Sequence, residues 1–187
     1  LGMLAGEIKP GITSLFLDNL AETFILDNLC KPGFKGYNGF PNTLCISINE
    51  QVVHGIPNNN PLKDGDIVSI DCGVIKDGFY GDHAYTFKVG DVGKEVESLL
   101  EITKESLYIG IKSLIPGNNV GDIGNSIQNF ISKHHYGIVK ELVGHGLGRN
   151  LHEDPEIPNY GEKGKGALLK EGLVVAIEPM INLGTEK

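Results

Sequence analysis

At 187 residues, 40% of them hydrophobic, the chain is long enough to bury a core of its own. Its 24 acidic and 16 basic residues leave a formal net charge of -8 with no basic run, which argues against a broad phosphate-neutralising surface and hence against nucleic acid as a partner. Cys30, Cys45 and Cys72 are odd in number and outside any Cys-x-x-Cys pattern, no apolar run approaches a membrane span and no signal peptide is evident, so a cytoplasmic protein with reduced thiols and no membrane partner is expected.

In chain order, residues 1–9 and 13–29 read as helices separated by Pro10-Gly11, the second with apolar positions spaced by three and four. Between 43 and 55, Leu44, Ile46 and Ile48 alternate, Asn49-Glu50 breaks the run and Val52-Val53-His54 resumes it, which predicts a hairpin ending on His54. Residues 70–82 hold two apolar runs joined by Asp77-Gly78, the signature of a two-residue hairpin turn. That turn pairs Lys76 with Phe79 and sets Asp71 opposite Ala84, with Asp82 as the diagonal neighbour of Asp71. Residues two apart on a strand share a face, so both carboxylates project from one side, roughly 7–8 Å apart at the backbone. A solvated sheet face would account for such a pair. Asp is depleted in strands, however, and Asp71 interrupts the run Ile67-Val68-Ser69-Ile70 where a buried strand would take another aliphatic. Carboxylates so placed repel one another, and a bound divalent cation resolves the conflict.

Further on, Val96, Leu99, Leu100, Leu107, Ile111, Leu114 and Ile115 form a helical stripe over 95–115, ended by Pro116-Gly117, and 120–134 reads as another helix. Comparing the chain with itself aligns 62–71 (LKDGDIVSID) with 169–178 (LKEGLVVAIE) at an offset of 107, and an offset of 106 aligns Pro10-Gly11 with Pro116-Gly117 and Phe24-Ile25 with Phe130-Ile131. Two halves, about 1–93 and 94–187, then share the order helix, Pro-Gly break, helix, strands. The helix at 95–115 has only 1–9 as its counterpart, so a missing amino-terminal piece is expected. The strand bearing Asp71 returns to present Asp82; the same return from Glu178 would present its acid beyond Lys187, so an incomplete carboxy-terminal end is expected too.

The second half supplies partners for the aspartates: His145 within Val143-Gly144-His145-Gly146-Leu147-Gly148, His152, and Glu178 in Ala176-Ile177-Glu178-Pro179. A nucleotide loop is disfavoured, because Pro155 and Pro158 follow where its helix should start. A histidine between two glycines in a loop has little core packing to explain it, which favours a metal ligand over a structural role. Glu178 occupies the place of Asp71 in the repeat, and an acid at the end of both apolar strands is hard to attribute to solvation.

Cys45 to Pro57 (CISINEQVVHGIP), Asp71 through Asp82, Gly144-His145-Gly146, His152-Glu153 and Ile177-Glu178-Pro179-Met180 together resemble the bacterial type I methionine aminopeptidases, over nearly the whole chain. The resemblance implies a single α+β catalytic domain with the pita-bread (creatinase/aminopeptidase) fold, a curved antiparallel sheet with outer helices and an internal pseudo-twofold duplication. It implies that Asp71, Asp82, His145 and Glu178 are ligands of two divalent metal ions, joined by a bridging glutamate on a later strand. Oxygen-rich ligation with one imidazole suits Co, Mn, Fe or Zn. Without that glutamate, at most one ion should bind tightly. Glu178 would also relay a proton, and His54 and His152 would contact the scissile amide and stabilise developing charge, with a surface role for both histidines as the alternative. Phe34, Tyr37, Phe40, Cys45 and Leu151 match the family's pocket for the first side chain, although some members have Cys at 34 and Phe at 151. The implied activity is removal of the amino-terminal methionine from peptides and nascent chains, by a monomer. Two readings compete: a prolidase-like aminopeptidase, and a metal-free pita-bread module that binds peptides or proteins.

Overall fold

The computed structural model describes residues 1–186, and its chain divides into two units: Leu1–Gly93 with Arg149–Leu151, and Lys94–Gly148 with the residues from His152 onward. In the first unit, helix α1 (Gly2–Ala5) is short, and α2 (Ser14–Asp27) starts at Thr13, whose hydroxyl accepts the Phe16 N–H at 3.1 Å. Four strands follow: β1 (Lys31–Pro32), β2 (Leu44–Ile48), β3 (Ile67–Lys76) and β4 (Phe79–Lys88). Asp77 (φ 51°) and Gly78 (φ 81°) both take the left-handed backbone that the two-residue turn needs, and β3 and β4 pair in the expected register, Lys76 with Phe79 and Asp71 with Ala84. The other edge of β3 takes β1 near one end and β2 near the other. Leu17 and Ala21 of α2 pack with Leu44, Ile46, Val68 and Ile70 as the core of this unit. Each of these fully buried Leu, Ile and Val side chains contributes roughly 1.5–3 kcal/mol.

One buried carboxylate organises the entry to β2. Asp18, on the inner side of α2, accepts the backbone N–H groups of Thr43 (3.0 Å) and Leu44 (2.8 Å) on one oxygen and Asn42 Nδ2 (2.8 Å) on the other. Charge-assisted bonds of this kind offset the desolvation of the carboxylate, and they fix where Cys45 enters the sheet.

The hairpin expected to end on His54 does not form. β2 pairs with β3, and the returning chain touches it through Gly55, whose carbonyl accepts the Ile46 N–H (2.8 Å) and whose N–H donates to Ser47 Oγ (2.9 Å). His54 itself has φ 57°, which breaks the extended chain.

The second unit holds α3 (Lys94–Ser113), α4 (Val120–Ile131), β5 (Gly137–Ile138), β6 (Gly144–Gly146), β7 (Glu153–Ile157) and β8 (Ile181–Asn182). Leu99, Ile123, Ile127, Ile131, Ile157 and Leu169 are among the residues of its core. Gly110 of α3 faces Ile127 of α4, where an added Cβ would come within 2.8 Å of the isoleucine side chain.

The internal repeat recurs in the hydrogen bonding of each unit. The bridge of Thr13 with Pro61 has its counterpart in Asn119 with Leu168, and Gly11 N–H to Leu62 O has its counterpart in Gly117 N–H to Leu169 O. Lys31 opposite Ile75 and Pro32 opposite Val74 recur as Gly137 opposite Asn182 and Ile138 opposite Ile181. Every one of these pairs keeps the offsets of 106 and 107 found in the sequence.

Candidate active-site residues

In the first unit Asp71 sits opposite Ala84 and Asp82 opposite Gly73, so the two half-buried carboxylates are diagonal neighbours on one face of the β3–β4 ladder. On the other edge of β3, Cys45 pairs with Asp71. Its thiol is pushed up to about 12, by burial first and then by the negative charges of Asp71, Asp82 and Asp18. Burial likewise raises Cys72 to about 11, with the negative charges of Asp71 and Asp82 adding to the rise. Both thiols are protonated at neutral pH in the metal-free protein, and Cys72, paired with His83, lies on the opposite face of β3 from Asp71.

A direct expectation follows for the metal-free protein. At pH 8 Cys45 should carry about a thousandfold less thiolate than an ordinary thiol, so iodoacetamide should label Cys30 first and Cys45 last, with Cys45 labelling rising about tenfold per pH unit. Time-resolved peptide mass spectrometry reads this, and equal labelling of Cys30 and Cys45 would contradict it.

Beside the carboxylates, Phe34, Cys45 and Leu151 form a buried apolar cluster flanked by Tyr37, Phe40 and Tyr80. Leu151 reaches it from a three-residue segment whose Arg149 guanidinium lies 4.8 Å above the Phe79 ring, at the hairpin tip. Tyr80 was not among the residues expected here. It lies two positions before Asp82 on β4 and so shares its face, a relation legible from the period of two. An apolar groove lined by His83, Tyr85 and Phe87 with Leu1 and Gly2 involves the alternate positions of β4, on the other face from Asp82. His54 is exposed, at the bend beyond β2.

In the second unit His145 is the central residue of β6, not part of a loop. The flanking glycines make that possible by close approach: a Cβ on Gly144 would overlap the Ala176 carbonyl, and one on Gly146 the Asp154 carbonyl. His145 and Ala176 exchange backbone hydrogen bonds of 3.2 and 2.7 Å. The buried imidazole donates Nδ1–H to the Gly146 carbonyl at 2.8 Å, which in the neutral ring leaves the lone pair on Nε2, and Nε2 lies 3.4 Å from Glu178 Oε1. A carbonyl can only accept, so this bond fixes the tautomer that a ligating histidine requires. The ring of His152, an exposed residue, meets that of His145 edge-on with centroids 4.3 Å apart.

The fully buried Asn159 holds Glu178 from behind, its Nδ2 donating to the Glu178 carbonyl at 2.7 Å. Pro179 lacks an N–H, and the side-chain amide satisfies the carbonyl where no ladder does. Sequence reasoning missed Asn159, because nothing local marks an asparagine that serves a glutamate 19 positions away.

Among the described residues, neither unit gathers three or more His, Cys, Asp or Glu side chains around one point. Each contributes a pair: two carboxylates from the first, an imidazole with Nδ1 committed and a carboxylate from the second. Carboxylate oxygens in the first unit, and a carboxylate and an imidazole in the second, are donor types that a divalent ion of the first transition row takes.

Residues 2–187 match the family model described as metallopeptidase family M24. The chain belongs to metallopeptidase family M24. Within it, the chain is 50% identical over 185 residues to a methionine aminopeptidase of Clostridium perfringens, an alignment that covers 99% of this chain and 74% of that one. Among solved structures it resembles the methionine aminopeptidase from Rickettsia prowazekii with a TM-score of 0.98 and 44% identity, over 100% of this chain and 75% of that one. The prolidase from Pyrococcus furiosus is also similar, with a TM-score of 0.83 and 27% identity, over 97% of this chain and 52% of that one. The expected α+β pita-bread fold is the fold of these M24 neighbours, and M24 membership makes the chain a metal-using peptidase. No helix among the described residues is long and apolar enough to cross a membrane.

Proposed function

We propose that this chain hydrolyses the first peptide bond of peptides and nascent proteins that begin with methionine, using divalent metal. The observation that carries the proposal is the 50% identity to a methionine aminopeptidase across 99% of the chain, against 27% to a prolidase. When bound, the metal supplies Lewis acidity toward the scissile carbonyl and the attacking water. Asp71 and Asp82 would hold it through carboxylate oxygens, His145 through its imidazole, and Glu178 through its carboxylate. Co, Mn, Fe and Zn all suit that set. Two such ions are the complement proposed.

Glu178 takes the proton of the attacking water and delivers it to the departing amide nitrogen. His54 and His152 donate hydrogen bonds to the scissile amide and offset the charge that grows on its oxygen. The methionine side chain enters the apolar cluster of Phe34, Tyr37, Phe40, Cys45 and Leu151, where aromatic rings and a protonated thiol suit a linear thioether. Three cysteines outside any disulfide suit the reducing cytoplasm, where nascent chains carry their initiator methionine. The protein acts as a monomer, without nucleic acid or membrane.

The test is cleavage of Met-Ala-Ser peptides in Mn or Co, read by mass spectrometry as loss of one residue, with Met-Lys peptides spared because the second residue must be small. No cleavage in any divalent metal by folded protein would overturn the proposal.

A further inference from the structure

Gly73 is the one buried position on the carboxylate face of β3 where a side chain is missing, lying two residues from Asp71 and opposite Asp82. Phe34 uses the vacancy. A Cβ built on Gly73 would lie within 3.0 Å of three ring atoms of Phe34, so the ring rests directly on the strand backbone. The approach is reinforced from the other side. Gly33 donates its N–H to the Gly73 carbonyl at 2.8 Å, and a Cβ on Gly33 would come within 3.1 Å of three backbone atoms of Gly73 and Val74. A pair of glycines thus seats one phenylalanine, which is 7% exposed and packs with Cys45 and Leu151.

The same cluster carries the two departures from the family pattern, a Phe at 34 where some members have Cys and a Leu at 151 where they have Phe. Phe at 34 and Leu at 151 amount to moving one aromatic ring across the cluster, and the move is sterically allowed because position 73 has no side chain. We infer that Gly73 is a specificity-determining residue: by seating the Phe34 ring against β3 it sets the depth of the cavity that receives the substrate's first side chain. The inference rests on the function proposed above. It extends that reading to a residue that touches the substrate only through Phe34.

An added methyl at 73 must push the ring toward Cys45, Leu151 and Tyr80, which line the space the substrate needs. One methylene in an apolar pocket discriminates by about 10- to 200-fold. Gly73→Ala is therefore expected to raise KM for Met-Ala-Ser at least about tenfold with a smaller change in kcat. Phe34→Ala removes the displaced ring, so the double variant should recover most of the lost KM. Phe34→Ala alone deepens the cavity, and the ratio of kcat/KM for ethionine-Ala-Ser over Met-Ala-Ser should rise about tenfold. That single variant keeps the inference testable if Gly73→Ala does not fold. Wild-type protein that cleaves methionine, while Gly73→Ala matches its KM or Phe34→Ala matches its ethionine ratio, would overturn the role of Gly73 alone. Wild-type protein that cleaves no methionine peptide would overturn the proposed function and this inference with it.

Discussion

Asp82→Asn is expected to lower kcat/KM on Met-Ala-Ser by at least roughly a thousandfold and to weaken divalent-ion binding by at least roughly a hundredfold, with the fold intact. The amide keeps the size of the carboxylate but not its charge, and a divalent ion loses an anionic ligand that a neutral oxygen does not replace. Removal of partners that merely orient a ligand already costs about 10- to 100-fold in affinity, so loss of the ligand itself should cost more. Stability should move little and, in the metal-free protein, upward. Asp71 and Asp82 are like charges set diagonally on one face, and removing one relieves their repulsion by about 0.2–1 kcal/mol. Calorimetric titration with Mn and a thermal melt of the metal-free protein read both halves. Unchanged Mn affinity would show that the β3–β4 carboxylates are not where the metal binds.

The hairpin that presents these carboxylates was fully legible in the sequence, because its signals are local: an Asp-Gly turn that needs two left-handed residues, and alternation that fixes the face of every side chain on either side. The repeat was legible for a different reason. Pro-Gly breaks and matching strands survive in both halves, and each keeps the same backbone partner, as Gly11 with Leu62 and Gly117 with Leu169. Where local signals stop, so does the reading. Val52 to His54 alternates like a strand, yet the edge it would pair with makes its hydrogen bond to Gly55 instead, and His54 turns the chain. The strand around His145 spans three residues, too few to carry a period, and it exists because two glycines let the Ala176 and Asp154 backbones come close. Asn159 and Gly73 act through residues far away in sequence, the first on Glu178 and the second on Phe34. Such roles arise from register and packing, and no single-position pattern announces them.

Glu178→Gln separates the two tasks assigned to Glu178. The glutamine fits the same space, and the backbone at 178 stays held, because Asn159 bonds to the carbonyl and not to the side chain. As with Asp82→Asn, one anionic ligand is lost, and metal affinity should fall by at least roughly a hundredfold. Mass action then distinguishes the variants. If Asp82 only binds metal, raising Mn until the site refills should recover much of the Asp82→Asn loss in kcat. In the proposed reaction Glu178 also carries the proton between the attacking water and the leaving nitrogen, and an amide cannot accept it at neutral pH. General acid-base groups contribute about 10²- to 10⁴-fold to rate, so Glu178→Gln should stay at least roughly a hundredfold below wild type in kcat even with the metal site saturated. Saturation must be shown directly, by metal analysis of the same sample after rapid gel filtration. Recovery of wild-type kcat in the Mn-saturated variant would reduce Glu178 to a ligand and move the proton transfer to another residue.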